Sequence, residues 1–145
     1  MKVKIKKLSE NAVIPQYAKP GDAGMDVTAI SVNVTDDYIE YGTGLAFEVP
    51  EGYCMLIFPR SSNSKKDLLL CNSVGVLDSG YRGELKLRFK NVCDPAEALT
   101  NAKVYAIGDR IGQIMILPYP HVEFEESVEL SETERGTGGF GSTSK

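Results

Sequence analysis

The heptapeptide Glu84–Lys90, ELKLRFK, alternates strictly between charged and apolar residues. Leu85, Leu87 and Phe89 fall on one face of an extended chain, and the four charged residues fall on the other. Successive side chains of a β-strand point to opposite faces, so this alternation predicts a strand with one buried face.

The chain outside this heptapeptide repeats its strand-like character. Val3 and Ile5 alternate with lysines, and four apolar runs predict further strands: Gly44–Val49, Tyr53–Phe58, Leu68–Cys71 and Ile111–Leu117. Glycine, proline, asparagine or aspartate interrupts these runs about every ten residues, and many short strands at this spacing predict an all-β fold, a jelly-roll-like β-barrel. Helix is expected to be limited to a turn or two, at Ser61–Lys66 or Pro95–Thr100.

Composition restricts the class of protein. A chain of 145 residues, 42% hydrophobic and 25% charged, fits one ordinary globular domain. Its three cysteines include no CxxC pair, which argues against a disulfide framework or structural zinc and favours a reducing compartment. The basic N-terminus lacks the apolar run of a signal peptide, and no segment is long enough to span a membrane, so we expect a soluble, cytoplasmic protein. A net charge of −4 disfavours bulk nucleic-acid binding.

The C-terminal residues differ in kind from the rest. Between Ser131 and Gly139 there is no large apolar side chain, and glycine is frequent from Gly136 onward. Such a segment cannot pack a core, so we predict a β-barrel domain over residues 1–130 and a mobile arm over residues 131–145. Arg135 and Phe140 combine a cation with an aromatic ring in this arm, which suits closure over a flat, phosphorylated ligand. A disordered tail is the alternative.

Five polar, glycine-bearing segments interrupt the strands: Pro20–Ala29, Pro59–Ser62, Gly75–Leu85, Gly108–Met115 and Arg135–Thr143. In the second segment, the guanidinium of Arg60 and the hydroxyls of Ser61 and Ser62 suit phosphate binding. In the fourth, Gln113 places an amide within an apolar strand, where it needs a polar partner. A surface ion pair at Arg60 and a satisfied core amide at Gln113 are the alternatives that involve no ligand.

The third segment carries the candidate catalytic group. Asp78 follows the apolar stretch Val74–Leu77 and precedes a Ser-Gly pair, so we predict a carboxylate at the end of a strand. Tyr81, just beyond this turn, offers a flat ring to a sugar or a base. An ordinary turn residue is the alternative for Asp78, and a loop cap is the alternative for Asp26. The single histidine, His121, lies apart from all five segments and is expected to be structural or solvent-facing.

In this order and at these spacings, the five segments resemble the five motifs of the trimeric dUTPase family. The resemblance extends from Pro20 to Thr143 and is most specific at Asp78–Gly83, DSGYRG, and in the arm, RGTGGFGST. It implies a homotrimer with active sites shared between subunits, which hydrolyses dUTP to dUMP and pyrophosphate. That reaction keeps uracil out of DNA and supplies dUMP for dTMP synthesis. The implied cofactor is Mg²⁺, held by the substrate triphosphate rather than by direct protein ligands.

The resemblance also implies a role for each candidate residue. Asp78 would activate the water that attacks the α-phosphorus, and Asp26 would support the metal and water network from further out. Tyr81 would pack beneath the deoxyribose and exclude a 2′-hydroxyl. The uracil would be read by backbone groups around Gly75, with an added contact from Asn72. The phosphates would be contacted by Arg60, Ser61, Ser62 and Gln113, and the arm residues that would close over the substrate are Arg135, Phe140, Gly141, Ser142 and Thr143.

Two positions depart from the family pattern, and two rival functions remain. Ser62 stands where glycine is common, and Gly80 stands where an acidic residue is frequent; neither change removes an expected catalytic group. The rival enzyme is dCTP deaminase, which shares the fold but carries a catalytic glutamate at the position of Arg88. The rival of another class is a non-catalytic β-barrel module, which has no need to keep the full set of motif residues.

Overall fold

The computed structural model describes residues 1–93 and 103–139, which form ten strands and one short helix. The helix is a single 3-10 segment, Ser61–Lys65, between the sixth and seventh strands. The strands are β1 (Lys4–Lys7), β2 (Met25–Thr28), β3 (Ser31–Val34), β4 (Ile39–Gly42), β5 (Leu45–Glu48), β6 (Tyr53–Phe58), β7 (Leu68–Leu70), β8 (Gly75–Leu77), β9 (Lys86–Asn91) and β10 (Arg110–Pro118).

The ten strands form three antiparallel sheets. One has the order β2-β10-β6-β8, a second has the order β3-β4-β9-β7, and β1 pairs with β5 in a third. Both four-stranded sheets contribute side chains to one hydrophobic core, including Met55 and Ile114 from the first and Tyr41 and Phe89 from the second. This arrangement confirms the predicted all-β, jelly-roll-like fold.

The alternating heptapeptide has the predicted orientation. Leu85, Leu87 and Phe89 are buried, while Lys86 and the other charged residues of β9 lie on the opposite, more accessible face. Phe89 packs edge-on against Tyr41, with ring centroids 5.8 Å apart. Such aromatic pairs add to the free energy gained by burial alone. The face of β9 that the alternation marks as apolar therefore lies at the centre of the core.

β8 confirms the strand expected from the apolar stretch Val74–Leu77, whereas three strands were not indicated by the sequence pattern, namely β2, β3 and β4. β2 lies within a segment selected for its polar residues, and all four residues of β3 are exposed, so no apolar run marks either of them. β4 is fully buried but includes Glu40, which interrupts its apolar character. The 3-10 helix confirms the helical turn expected at Ser61–Lys66, and Pro95–Thr100 lies outside the described residues.

Beyond β10 the chain leaves the sheets. The described part of this segment, residues 119–139, includes no strand, and Phe124, Val128 and Leu130 are almost fully exposed. Exposure of large apolar side chains to water is unfavourable, and the described ranges 1–93 and 103–139 provide no surface that covers these three. The predicted boundary between barrel and arm after residue 130 stays a prediction. Within the described ranges there is no helix of the length and apolarity needed to cross a membrane.

Replacement of Ile111 by alanine tests the packing of the core. Ile111 is 0% exposed in β10, so the change should lower the free energy of unfolding by about 2–5 kcal/mol through lost burial and a residual cavity. The matched control is Ile107→Ala, because Ile107 is 62% exposed in the preceding turn, and its truncation should cost no more than about 0.5 kcal/mol. Urea unfolding of both variants measures the difference, and equal losses would contradict the described core.

Candidate functional site

A cavity of about 530 Å³ opens between the two strands that flank the turn at Asp78. In the described fold, β8 pairs with β6, whereas β9 pairs with β4 and β7 in another sheet. Because β8 and β9 do not share backbone hydrogen bonds, side chains and open space separate them. The candidate residues Asn72, Gly75, Asp78 and Tyr81 all line this cavity.

Asp78 lies where the sequence predicted a carboxylate, immediately after β8. Its carbonyl accepts a hydrogen bond of 3.1 Å from the amide of Tyr81, which closes the expected turn. The side chain is exposed, and among the described residues no hydrogen bond or ion pair involves its carboxylate. The carboxylate is therefore available to a water molecule or a ligand in the cavity.

The ring of Tyr81 is held in a defined position beside Asp78. Its hydroxyl donates a hydrogen bond of 3.1 Å to the carbonyl of Glu84. A Cβ added at Gly83 would collide with the same ring, so the glycine provides the space that the ring occupies. The ring is half exposed at the cavity wall. It therefore offers a fixed, flat apolar surface to a ligand there.

Asn72 and Gly75 are packed against each other on the opposite side of the turn. A Cβ added at Gly75 would lie 3.1 Å from Asn72 Nδ2 and 3.2 Å from Ile57, both too close for easy accommodation. Between them, Ser73 adopts a positive φ of 57°, which bends the chain sharply. The bend explains how an amide side chain and a backbone without a Cβ come to line the same wall.

Arg60 belongs to a second group of polar residues, centred on Asp26. Arg60 Nε donates to Asp26 Oδ1 at 2.8 Å, and Arg110 donates to Asp26 Oδ2 at 3.0 Å. The side chains of Arg60 and Asp26 are only 24% and 26% exposed, so this ion pair is largely withdrawn from solvent. Arg60 also donates to the hydroxyl of Ser62 at 3.1 Å. Asp26 lies inside β2 and orients two guanidinium groups, which excludes its interpretation as a loop cap.

Gln113 borders the same group from β10, where it pairs with Asp26 across the sheet. Its Nε2 donates to the carbonyl of Pro59 at 3.1 Å, which supplies the polar partner expected for an amide in an apolar strand. A Cβ added at Gly24 would lie 2.7 Å from Gln113 Oε1. Gln113, Asp26 and Gly24 line a cavity of about 390 Å³, so the side chain also faces open space.

The remaining candidate residues are only partly described. Ser61 begins the 3-10 helix directly after Arg60 and is exposed. Arg135 is exposed in the arm, and its Nε donates to the carbonyl of Gly138 at 2.9 Å. His121 is exposed, in agreement with a solvent-facing side chain. Four predicted arm residues lie outside the described ranges: Phe140, Gly141, Ser142 and Thr143.

Within one chain, Asp78 and Arg60 lie at opposite ends of one strand pair, whereas Gly75 pairs with Ile57 nearer to Arg60. β8 runs antiparallel to β6, with Leu77 opposite Met55, so the register places Asp78 beyond Met55 and next to Cys54. Cys54 is separated from Phe58 by roughly 13 Å at about 3.3 Å per residue, and Arg60 follows two residues later. A single chain therefore presents two separate parts of a site.

The cavity also contains a charged cluster that the sequence did not indicate. Glu40, a buried acid in β4, accepts hydrogen bonds from Lys86 Nζ at 2.9 Å and from Arg88 Nε at 2.8 Å. The bond from Lys86, and then that from Arg88, hold the pKa of Glu40 below its usual value. The sequence signal that could have revealed this cluster is Glu40 itself, a charged residue within the otherwise apolar strand β4 (IEYG). Both carboxylate oxygens of Glu40 are thus occupied by the side chains of Lys86 and Arg88.

Comparison with known proteins agrees with this geometry. A family model described as dUTPase matches residues 10–144. A deoxyuridine 5'-triphosphate nucleotidohydrolase from Hydrogenobaculum sp. is 41% identical, over 99% of this chain and 98% of that protein. Its counterpart from Nautilia profundicola is also 41% identical, over the full length of both chains. The chain therefore belongs to the dUTPase family.

Solved structures of phage enzymes resemble the fold as well. The Staphylococcus bacteriophage 80alpha dUTPase with dUPNHPP superposes with a TM-score of 0.83 at 29% identity, covering 98% of each chain. A variant of the dUTPase from phage phi11 of S. aureus superposes with a TM-score of 0.73 at 26% identity, covering 89% of this chain and 98% of the other. The latter structure is described as revealing the coordination of a structural Mg(II) ion.

Replacement of Glu40 by glutamine should destabilise the protein in a pH-dependent way. The lowered pKa means that the folded state binds this proton less readily than the unfolded state. The stabilisation is therefore fully present above the usual value of 4.5 and is lost as the pH falls through the lower folded-state value. The variant should have a lower urea midpoint than the wild type at neutral pH, and the two midpoints should converge in acid.

The matched control is Glu48→Gln, which removes another carboxylate bonded to a lysine. Glu48 and its partner Lys4 are exposed, so this change should alter the urea midpoint very little. A Glu40→Gln deficit that stays constant from neutral pH into acid would contradict the assignment of the effect to the ionised carboxylate.

Proposed function

We propose that this chain hydrolyses dUTP to dUMP and pyrophosphate. The observation that carries the proposal is the cavity between β8 and β9, where Asn72, Gly75, Asp78 and Tyr81 converge as the family motif requires. Family membership and the names of the relatives support the same reaction. The consequence for a cell is removal of uracil nucleotide from the DNA precursor pool and supply of dUMP for dTMP synthesis.

In the proposed mechanism, Asp78 accepts a proton from the water that attacks the α-phosphorus. A positioned general base contributes roughly 10²–10⁴ in rate. The exposed carboxylate, free of described partners, supports this role. Tyr81 packs beneath the deoxyribose, because its ring is held against Gly83 beside Asp78. The uracil then lies between β8 and β9, beside Asn72 and the backbone at Gly75.

Phosphate recognition is assigned to the second group. Arg60 carries a guanidinium fork whose orientation is set by Asp26, and the hydroxyls of Ser61 and Ser62 follow it. Gln113 lies next to this group and adds an amide. Further contacts with the phosphates and the base come from the arm residues Arg135, Phe140, Gly141, Ser142 and Thr143. Because a triphosphate needs both positioning and neutralisation of charge, these residues supply the part of catalysis that Asp78 does not.

Magnesium fits the proposed site as part of the substrate complex. The described residues contain no group of three or more histidine, cysteine, aspartate or glutamate side chains that could hold a metal ion. Mg²⁺ commonly binds through substrate phosphates with few protein carboxylates, so a metal carried by the triphosphate requires no cluster of protein ligands. When bound, the ion neutralises phosphate charge in the transition state. Asp26 contributes from further out, since guanidinium groups occupy both of its oxygens.

The active unit is proposed to be a homotrimer with sites shared between subunits. The opposite placement of Asp78 and Arg60 along β6 and β8 supports this, because two copies can bring together what one chain separates. The exposed apolar side chains of Phe124, Val128 and Leu130 support it as well, because neighbouring copies supply a surface to cover them. Each site would take Asp78 from one subunit, Arg60 from another and the arm from the third.

A cytoplasmic location completes the proposal. All three cysteines are free, and Cys71 is exposed on the cavity wall. Free thiols are characteristic of proteins kept in a reducing compartment. The proposed substrate is a precursor of DNA synthesis, which agrees with such a location.

Replacement of Asp78 by asparagine tests the proposed reaction. The amide keeps the shape of the side chain but cannot accept the proton, so kcat for dUTP should fall by roughly 10²–10⁴ while binding persists. The assay incubates the protein with Mg²⁺ and dUTP, dCTP or dTTP and measures both pyrophosphate release and the identity of the product base. The wild type should prefer dUTP, whereas deamination of dCTP or the absence of turnover would favour the rival functions. Retention of more than about a tenth of wild-type kcat would remove Asp78 from the role of base.

Mixed trimers test the shared site. The two parents are Asp78→Asn and a chain truncated after Leu130, each inactive alone and combined by co-refolding. Every mixed trimer then contains one site with an intact Asp78 and an intact arm from a different subunit. Random equal mixing gives roughly three-quarters mixed trimers, so about a quarter of wild-type activity should return.

Native mass spectrometry provides the control by confirming that mixed trimers have formed. If Asp78 and the arm served a site within one chain, co-refolding would recover no activity even with mixed trimers present. That result would exclude the shared-site arrangement while leaving the proposed reaction unaffected.

A further inference from the structure

The short helix that carries Ser61 and Ser62 needs an anchor other than apolar burial. None of the five residues from Ser61 to Lys65 is buried, and no side chain caps the N-terminus of the helix. Short 3-10 helices have poor hydrogen-bond geometry and little stability of their own. The position of Arg60, immediately before this helix, therefore depends on contacts that the helix makes with the rest of the barrel.

Asn63 supplies that contact with both ends of its amide. Its Nδ2 donates to the carbonyl of Leu68 at 2.8 Å, and its Oδ1 accepts from the hydroxyl of Tyr105 at 3.0 Å. Its backbone amide also donates to the carbonyl of Arg60 at 2.9 Å. One residue thus connects the phosphate-binding loop, the start of β7 and an aromatic side chain of the core.

Tyr105 is a rigid partner for this hydrogen bond. It is buried, and its ring lies 5.9 Å from that of Tyr41 and 5.7 Å from that of Phe89. The hydroxyl of Tyr41 donates to the carbonyl of Tyr105 at 3.0 Å, which fixes the backbone as well. Burial raises the pKa of Tyr105, so its hydroxyl stays protonated and remains a donor at neutral pH.

A second link runs from the end of the helix to the same place. Lys66 Nζ donates to the carbonyl of Val104 at 2.7 Å and lies 4.8 Å from the centre of the Tyr105 ring. The ammonium group therefore joins the exit of the helix to Tyr105, while Asn63 joins its middle. Both connections converge on residues 104–105, which lie against the core.

We propose that Asn63 is a positioning residue for phosphate recognition: it ties Arg60, Ser61 and Ser62 to the core through Tyr105. The inference rests on the proposed function, since it assumes that these three residues contact the substrate phosphates. Recognition of this kind requires side chains held to within about 0.5 Å, which a free surface loop does not provide. Loss of the tie should therefore weaken the binding of phosphate groups and leave the base and sugar contacts of β8 and β9 intact.

The test compares two ligands that differ in their phosphates. One is dUpNHpp, a dUTP analogue with an imido group between its α- and β-phosphates, and the other is deoxyuridine, which has no phosphate. Asn63→Ala should weaken the binding of dUpNHpp by about tenfold, in line with the loss of two ordinary hydrogen bonds. The same change should alter the affinity for deoxyuridine less than about twofold. Tyr105→Phe removes the hydroxyl alone and should give a smaller loss with the same selectivity. The double variant should match Asn63→Ala, because both changes break one connection.

Two controls separate positioning from general destabilisation. Phe47→Leu alters a buried side chain of β5, which pairs with β1 and not with the strands that hold the Tyr105 cluster, and it should lower the melting temperature without selective loss of dUpNHpp. The inference would be overturned if Asn63→Ala weakened the binding of dUpNHpp and of deoxyuridine equally. It would also be overturned if both Asn63→Ala and Tyr105→Phe bound dUpNHpp with wild-type affinity. A wild-type protein that turns over no dUTP and binds no dUpNHpp would overturn the proposed function first, which is a distinguishable result.

Discussion

The pairing of β8 with β6, and of β9 with β4 and β7, is the constraint on which the site depends. Residues 78–85 join two strands that belong to different sheets, so the chain leaves one sheet for the other within this connection. The separation creates the cavity, and the turn places Asp78 and Tyr81 at its wall. Had β8 and β9 paired with each other, their backbone groups would satisfy one another and little space would remain between them. The candidate base and the candidate sugar-packing ring therefore owe their accessibility to the sheet topology.

The aromatic cluster of Tyr41, Phe89 and Tyr105 connects the core to the loop of Arg60, Ser61 and Ser62, for which phosphate binding is proposed. Its rings pack edge to face or at a tilt, so they contribute burial and geometric definition together. Two of the three also present hydroxyl groups, and each of these hydroxyls donates to a neighbouring group. A core of phenylalanine alone would pack comparably but would offer no hydrogen bonds to the exposed helix. Through these hydrogen bonds, the tyrosines fix the position of a surface loop relative to the core.

Periodicity and motif spacing anticipated the parts of the structure that follow local rules. The alternation in Glu84–Lys90 identified β9 and its buried face, and the turn chemistry after Leu77 placed Asp78 at a strand end. Contacts between residues that lie far apart in the sequence could not be predicted from such local patterns. Asp26 forms ion pairs with Arg60 and Arg110, and Glu40 forms ion pairs with Lys86 and Arg88. These pairs depend on the register between strands, which the sequence pattern did not reveal. The division of the candidate site between two ends of a strand pair is likewise a property of topology. The arm residues beyond 139 remain known by resemblance alone.

The exposed apolar side chains of Phe124, Val128 and Leu130 have a consequence for stability in dilute solution. If copies of the chain cover these side chains for one another, the association of the copies contributes part of the free energy that stabilises the folded state. Mass action then links the melting temperature to the protomer concentration, and dilution destabilises the fold without any change in sequence or solvent. Newly synthesised chains at low abundance would expose this segment longest, and the glutamates interspersed at 123, 125, 126 and 129 would oppose premature aggregation through charge repulsion.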